Sequence, residues 1–229
     1  MDKRETIIIS IGGSLIVPNE IDINFLKSVK TIVEQQLEKN KRIVIVCGGG
    51  KIARKYQNAA KKITNNISDL DMDWIGINAT RMNACLVKSI FANKAYTNII
   101  KNPTKEIVAR ENIIVVAGWK PGFSTDYDAV LIAKNLGSKK IVNLSNIDYV
   151  YDKDPNKFKN AKKIEKMTWE EFRSLIPDEW EPGLNSPFDP IASKEAQKFK
   201  MEVDIINGKN IKEVEKCLNG EKFKGTVIK

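Results

Sequence analysis

The stretch Arg42-Ile-Val-Ile-Val-Cys-Gly-Gly-Gly-Lys51 joins an apolar run to a bend made of three glycines. Such a run, stopped by glycine, is typical of a strand that is buried on both faces of a parallel sheet. The three glycines leave no Cβ in the bend, so phosphate oxygens can reach backbone amides where the next helix begins. The spacing matches neither G-x-G-x-x-G nor the P-loop pattern, so it predicts an anion site of another kind.

The same alternation of strand and helix patterns runs outward from this stretch to both ends of the chain. Apolar runs predict strands at 6–11, 42–47, 113–117, 140–144, 203–206 and 225–228. Helical spacing of apolar residues predicts helices at 23–37, 52–63, 74–91, 126–136, 168–171 onward, 189–199 and 210–218. Helices between strands imply a mostly parallel sheet covered on both faces. We therefore expect one α/β domain over 1–229, a three-layer αβα sandwich.

Three other loops follow predicted strands and carry polar groups. Ser10-Ile-Gly-Gly-Ser14 ends the first strand, and residues 117–126 end the third with two glycines, a proline, two hydroxyls and Asp126. Asp126 is interpreted either as the N-cap of the next helix or as a site carboxylate. Residues 143–155 offer Tyr149, Tyr151 and several carboxylates, which suit a nucleotide. Ligands of such sheets bind at the carboxyl ends of the strands, where all these loops should meet.

The second half contains further local signals. Residues 152–163 are charged and rich in turn formers, which indicates a surface excursion or hairpin. Thr168 to Glu171 form a capping box, and Asp189-Pro190 is an N-cap followed by proline at the first helical position. Residues 177–187, with three prolines, predict a long ordered loop or lid.

Composition excludes several classes of chemistry. The 229 residues include no histidine, which removes Ser-His-Asp catalysis and histidine-ligated zinc. The three cysteines are far apart and lack metal-ligand spacing. No apolar run approaches the roughly 20 residues that span a bilayer, and no cleavable signal is evident, so we expect a cytoplasmic protein without a membrane partner. The net charge of +9 is scattered, with no nucleic-acid-binding motif, so no nucleic acid partner is expected.

Together these loops resemble a known family. The motifs G-G-S, G-G-G-K-x-A-R-K-Y, D-x-I-G-I-x-x-T-R-x-N-A, P-G-x-S-T-D, S-N-I-D-x-V-Y-x-x-D-P and D-P-x-A-x-K are similar to archaeal-type UMP kinases of the amino acid kinase family. The stretch from Asp73 to Ala84 is the most specific of them. The resemblance implies the amino acid kinase (carbamate kinase-like) fold, with an acceptor lobe at 1–138 and an ATP lobe at 139–229. It also implies transfer of the ATP γ-phosphoryl to UMP, with Mg²⁺.

The resemblance assigns residues to each substrate. The residues that would bind ATP are Ser10, Ile11, Gly12, Gly13, Ser14, Gly50, Arg54, Ser145, Asn146, Tyr151 and Asp154. Those that would bind UMP are Gly49, Asp73, Trp119, Lys120, Pro121, Gly122, Phe123, Ser124 and Thr125, with Asp73 accepting from the ribose hydroxyls. The catalytic candidates are Lys51, Arg54, Asp189 and Lys194. Many relatives carry lysine at the position of Ser10, so the cation that neutralises the transferring phosphoryl stays open between Lys51 and Lys194. Relatives usually carry glycine at the position of Tyr149, so the shape of the adenine pocket stays open as well.

Alternative functions remain open at this point. Another kinase of the same scaffold would act on a carbamate, a carboxylate or isopentenyl phosphate. The isopentenyl phosphate enzymes use a histidine that this chain lacks, and amino acid acceptors would not need the Asp73 motif. A non-catalytic oxyanion-storage or nucleotide-sensing relative need not keep Asp189 and Lys194 together. The family resemblance further implies a homo-oligomer, a hexamer built as a trimer of dimers, with the helix at 24–37 as a candidate contact.

Overall fold

The computed structural model describes residues 4–64, 66–178 and 186–229, and its centre is a seven-stranded sheet. The strand order is β3-β2-β1-β4-β8-β9-β7, and two further strands, β5 and β6, form a separate hairpin. The strands are β1 (Thr6–Ile11), β2 (Arg42–Cys47), β3 (Ile113–Val116), β4 (Lys140–Ser145), β5 (Val150–Tyr151), β6 (Lys163–Ile164), β7 (Lys166–Met167), β8 (Glu202–Asn207) and β9 (Thr226–Ile228).

The sheet is mostly parallel, as predicted. All neighbours are parallel except β8 and β9, which pair antiparallel. In the register, Ile11 at the end of β1 lies between Cys47 of β2 and Leu144 of β4. The loops that follow these three strands therefore leave the sheet at one edge, and this edge carries the site.

Helices cover both faces of the sheet. They are α1 (Gly13–Ile16), α2 (Ile23–Glu38), α3 (Gly50–Ile63), α4 (Asp69–Phe91), α5 (Thr125–Asn135), α6 (Trp169–Ser174), α7 (Pro190–Lys198) and α8 (Ile211–Leu218), with a 3₁₀ turn at Ala92–Lys94. Buried side chains of α2, α4 and α8 pack with Ile7, Ile9 and Ile11 on one face. Those of α5, α6 and α7 pack with Ile8 on the other. This alternation along β1 gives the three layers that the sequence predicts.

Several local predictions are confirmed, and the capping role of Asp126 is corrected. The capping box at Thr168 is present, and Asp189 caps α7 with Pro190 in its first turn. The hairpin of β5 and β6 lies where the excursion was predicted. Asp126 does not cap α5, because the Ser124 side chain accepts from Tyr127 N and Thr125 is already helical. The short helix α1 was not predicted.

Two remaining expectations concern the loop at 177–187 and the membrane. Residues 179–185 of that loop lie outside the described residues. Within the described part of the chain, no helix is long and apolar enough to cross a bilayer.

Candidate active site

The glycine loops after β1 and β2 pack backbone against backbone. Gly48 N donates to Ile11 O at 2.9 Å, and a Cβ on Gly13 would meet Gly48 O at 2.4 Å. Gly50 has a φ of +62°, and a Cβ there would lie 2.2 Å from the Gly13 carbonyl carbon. Only glycine fits such an approach. The loops at Gly12–Gly13 and Gly48–Gly50 thus form one surface of backbone amides, which we call the glycine surface, and α3 begins in it with the positive end of its dipole.

A cavity of about 440 Å³ lies over this surface. It contains most of the residues predicted to bind ATP: Ser10, Gly12, Gly13, Ser14, Gly50 and Arg54 from the phosphate set, and Ser145 and Asn146 from the adenosine set. Ile11 does not reach it, because its side chain is fully buried in the core below. Backbone amides, hydroxyls and one guanidinium are suited to bind a chain of phosphates. We call this space the donor cavity.

A second cavity, of about 310 Å³, continues from the donor cavity. The two share Ser145, Asn146, Ser186 and Pro187 in their linings. The second is otherwise lined by Ile147, residues 149–156, Leu175 and Ile176, and it includes the predicted Tyr151 and Asp154. Tyr149 also lines it, with Lys163 Nζ 4.7 Å from its ring centroid. Aromatic and apolar walls next to carboxylates suit a nucleoside attached to the phosphates.

A third cavity, of about 220 Å³, lies on the other side of the Gly50 loop. It includes the predicted Gly49, Asp73, Phe123, Ser124 and Thr125. Its lining shares Gly49, Gly50, Arg54 and Thr125 with the donor cavity. Two ligands would therefore meet at Arg54 and Thr125, which is the arrangement that group transfer needs. We call this third space the acceptor cavity.

Side chains of helix α4 hold the loops after β2 and β3 together at the acceptor cavity. Asp73 Oδ2 accepts from Gly122 N at 2.7 Å, and Thr80 Oγ1 accepts from Gly118 N at 2.8 Å. The buried Asn83 Nδ2 donates to Gly48 O at 2.7 Å. These three side chains belong to the motif from Asp73 to Ala84. The motif therefore positions both the glycine surface and the loop after β3.

Side chains of α4 and α5 also hold the loop at 118–124. Trp119 N donates to Asp128 Oδ2 at 3.1 Å, and Arg81 Nη2 donates to Trp119 O at 3.4 Å. Lys120 Nζ lies over the rings of Trp119 and Phe123, at 4.2 Å and 5.1 Å from their centroids. Of the loop residues predicted to bind UMP, Trp119, Lys120, Pro121 and Gly122 lie outside the cavity lining.

Two acidic residues, Asp126 and Asp189, are in contact beside the donor cavity. Asp126, which lines the cavity, accepts from Asp189 N through Oδ2 at 3.2 Å and from Ser10 Oγ through Oδ1 at 3.5 Å. Desolvation, followed by repulsion from Asp189, raises the pKa of Asp126 to about 7. Burial likewise raises the pKa of Asp189, whose Oδ1 caps α7 while Oδ2 is buried without a hydrogen-bond partner among the described residues. Such a pair attracts a cation.

A model of the amino acid kinase family matches residues 5–207, which is most of the chain. The chain belongs to the amino acid kinase family. Among curated relatives, the uridylate kinase of Thermococcus kodakarensis is 34 % identical over 225 residues, covering 97 % of this chain and 98 % of that protein. The uridylate kinase of Methanococcus aeolicus is also 34 % identical, over 226 residues with the same coverage.

Solved structures of this family have the same architecture. The uridylate kinase from Archaeoglobus fulgidus superposes with a TM-score of 0.79 at 29 % identity, over 97 % of this chain and 99 % of that chain. The UMP kinase from Bacillus anthracis gives 0.75 at 19 % identity, over 98 % and 95 %, which supports the fold alone. The amino acid kinase fold predicted from the sequence is confirmed.

The three cationic side chains predicted to act in catalysis in this amino acid kinase lie at different places in the structure. Arg54 lies at the junction of the donor and acceptor cavities, and its Nη2 donates to Ser14 Oγ at 3.0 Å. Lys51 is exposed in the first turn of α3 and lines neither cavity. Lys194 is exposed on α7, and its Nζ donates to Asp178 O at 2.9 Å, also outside both linings. The described side chains thus bring Arg54, and neither lysine, to the point where two substrates would meet.

The sequence left Asp126, which lines the donor cavity, between a capping role and a site role. It gave no role to Gln57, which lines the acceptor cavity. The spacing of Gln57 from Arg54, one helical turn, was the signal that could have revealed it.

Proposed function

We propose that this protein is a UMP kinase, which transfers the γ-phosphoryl of ATP to UMP and releases ADP and UDP. The observation that carries the proposal is the meeting of the donor and acceptor cavities at Arg54 and Thr125. ATP would extend from the glycine surface into the cavity with Tyr151 and Asp154. UMP would fill the acceptor cavity with its phosphate toward Arg54. The names of the curated relatives, uridylate kinases over nearly their full length, support this choice of acceptor.

The chemistry requires positioning and charge neutralisation more than it requires a base. The acceptor is already an anionic phosphate oxygen, which attacks the γ-phosphorus in line with the bond to the leaving ADP oxygen. Arg54 and the amides of the glycine surface would hold both phosphate groups against their mutual repulsion. This division of work is compatible with a chain that has no histidine.

Magnesium fits the floor of the donor cavity. Protein sites for Mg²⁺ commonly supply one or two carboxylates while substrate phosphates and water complete the shell. Asp126 lines the donor cavity, and its contact Asp189 has a buried Oδ2 that lacks a partner among the described residues. We propose these two as the protein groups nearest the metal of Mg-ATP. Bound there, the metal would neutralise charge on the transferring phosphates.

The test is a coupled ADP-release assay with Mg-ATP against UMP, CMP, dUMP, AMP, isopentenyl phosphate and glutamate. We expect turnover selective for UMP, with loss of turnover in Asp73→Asn. Lys194→Ala tests whether this lysine reaches the transferring phosphoryl in the complex. Turnover with another acceptor would assign the protein a different substrate within the amino acid kinase family. Tight ATP binding without turnover of any acceptor would favour a nucleotide sensor or storage protein.

We further propose that residues 1–138 form the acceptor lobe, that 139–229 form the ATP lobe, and that the chain assembles as a homo-oligomer. The acceptor lobe is supported by the acceptor cavity, whose lining residues all precede residue 138. The donor cavity has lining residues from both lobes. A hexamer built from dimers, with the helix at 24–37 as a contact, stays a prediction from family resemblance. Light scattering that gives the 25.9 kDa of one chain at micromolar concentration would contradict it.

A further inference from the structure

Gln57 of α3 occupies a place in the acceptor cavity to which the motifs assign no role. It lines that cavity together with Asp73 and Gly76 of α4. Its Nε2 donates to Met72 O at 2.9 Å, across the gap between the two helices. A carbonyl oxygen only accepts, so this contact requires the nitrogen of the amide, and not the oxygen, to face α4.

The wall of α4 leaves space for this amide. Gly76 lies inside α4, where glycine destabilises a helix by about 1 kcal/mol relative to alanine. A Cβ at this position would lie 3.3 Å from Gln57 Nε2, closer than most such contacts. The glycine therefore allows the Gln57 side chain to stay at the cavity wall.

The position along the cavity points to the sugar of the acceptor. Arg54, at the junction with the donor cavity, marks the phosphate end. Gln57 follows it by three residues on α3, which corresponds to a rise of about 4.5 Å along the helix. In a nucleoside monophosphate, the ribose is the group that follows the phosphate. Asp73, on the facing helix, would meet the same ribose.

The hydrogen-bonding capacities of the two side chains are complementary. The Asp73 carboxylate only accepts, and its Oδ2 already takes the hydrogen of Gly122 N. The Gln57 nitrogen carries two hydrogens, and Met72 O takes one of them. The described residues show no partner for the other. A ribose hydroxyl both donates and accepts, so it can donate to Asp73 while its oxygen accepts from Gln57.

We propose that Gln57 is a specificity-determining residue, which donates a hydrogen bond to a ribose hydroxyl of the acceptor so that ribonucleotides are preferred over 2′-deoxyribonucleotides. This inference rests on the proposed UMP kinase activity. A deoxy acceptor would leave the amide hydrogen and part of the Asp73 carboxylate without a partner, and sites built to bind a hydroxyl reject analogues that lack it.

The experiment compares kcat/KM for UMP and dUMP in the wild type and in Gln57→Leu, Gln57→Met and Gln57→Glu. The wild type should prefer UMP. Each variant should lower the UMP/dUMP ratio about tenfold, the usual effect of one neutral hydrogen bond, by losing activity on UMP more than on dUMP. Gln57→Glu tests the donor itself, because a carboxylate has a similar shape and no hydrogen to give. Asn58→Leu, at an exposed position on the same helix outside the cavity lining, is the matched control and should leave the ratio unchanged.

The possible outcomes distinguish a failure of this inference from a failure of the proposed UMP kinase activity. If Gln57 only ties α3 to α4, activity on UMP and dUMP will fall together and the ratio will stay constant, which overturns the inference. A wild type that uses both acceptors equally well overturns it too. A wild type that phosphorylates neither overturns the proposed function instead. The readout is a ratio of two activities of the same variant, so partial instability of that variant does not affect it. Gln57→Met keeps the side-chain volume closer to that of glutamine than Gln57→Leu does.

Discussion

Arg54 is the cation that the described side chains bring to both substrate cavities. Its guanidinium presents several donors in a fixed plane, which suits two phosphate groups better than a point charge would. We expect Arg54→Ala to lower kcat/KM for UMP about a hundredfold, and Arg54→Lys to recover only part of it. Steady-state kinetics with Mg-ATP measure the effect. Lys55→Ala removes a cation from the next residue, which lines neither cavity, and should change kcat/KM less than threefold. Equal losses in both variants would show a general charge effect.

Asp126 lines the donor cavity and accepts two hydrogen bonds there. Its oxygens accept from Asp189 N and Ser10 Oγ, so an amide in its place would keep part of this network but lose the charge. We expect Asp126→Asn to lower kcat at least tenfold and to raise the Mg²⁺ concentration needed for half-maximal rate. A magnesium titration at saturating ATP and UMP measures both. An unchanged magnesium requirement would remove Asp126 from the metal site.

The sequence revealed the backbone part of the site better than the side-chain part. The adjacent glycines of the Gly12 and Gly48 loops can be read directly from the sequence. Because glycine has no Cβ, their role in exposing backbone amides to a ligand follows from their identity. The partners of Asp126 and Gln57 are distant in sequence, with Asp189 63 residues from Asp126, so no local pattern could assign them. The same holds for Lys194, whose helix was predicted correctly while the contact of its Nζ with Asp178 was not foreseeable.

At the scale of elements, the turns after β1 and β2 act as one interlocked unit. A side chain on either Gly13 or Gly50 would collide with the backbone of the other loop. We expect Gly50→Ala to abolish activity and to lower Tm, because the clash adds to the strain of φ +62°. Gly137→Ala is the matched control, since its φ is +71° and nothing lies within 4 Å of the added Cβ. It should cost about 1–2 kcal/mol in stability and leave kcat unchanged.

The strands β1 to β4, β8 and β9 were predicted almost to the residue, because buried strands are continuous apolar runs with glycine or polar ends. The two-residue strands β5 and β6 were expected only as part of an excursion or hairpin, and β7 was not predicted. Helix starts depended on caps, and there the sequence was ambiguous. Ser124 and Asp126 are both good N-caps, and tertiary contacts decided between them, since Asp126 faces Ser10 and Asp189 while Ser124 caps α5. Helix α1 has four residues and is too short for any apolar period to show.

At the scale of the whole molecule, the absence of histidine simplifies the pH dependence of stability. Ordinary carboxylates titrate near pH 4 and lysines above 10, so few side chains of this chain change charge between pH 5 and 8. Asp128 is an exception, because it has no exposed surface and burial raises its pKa to about 8. Its Oδ1 is buried without a partner among the described residues. Asp126, with a pKa raised to about 7, adds to the same effect.

These raised pKa values predict that the protein loses stability as pH rises through the neutral range. Between about pH 4 and 8 the folded state keeps protons on these carboxyls that the unfolded chain has released, so the free energy of unfolding falls with increasing pH. Thermal unfolding at several pH values, without nucleotide or Mg²⁺, should give a Tm that is several degrees lower at pH 8 than at pH 5.5. Asp128→Asn removes the main titrating group while its side-chain oxygen can still accept from Trp119 N. At pH 8 this variant should therefore have a higher Tm than the wild type, and its Tm should change less with pH. A wild-type Tm that rises with pH across this range would contradict the raised pKa of the buried Asp128.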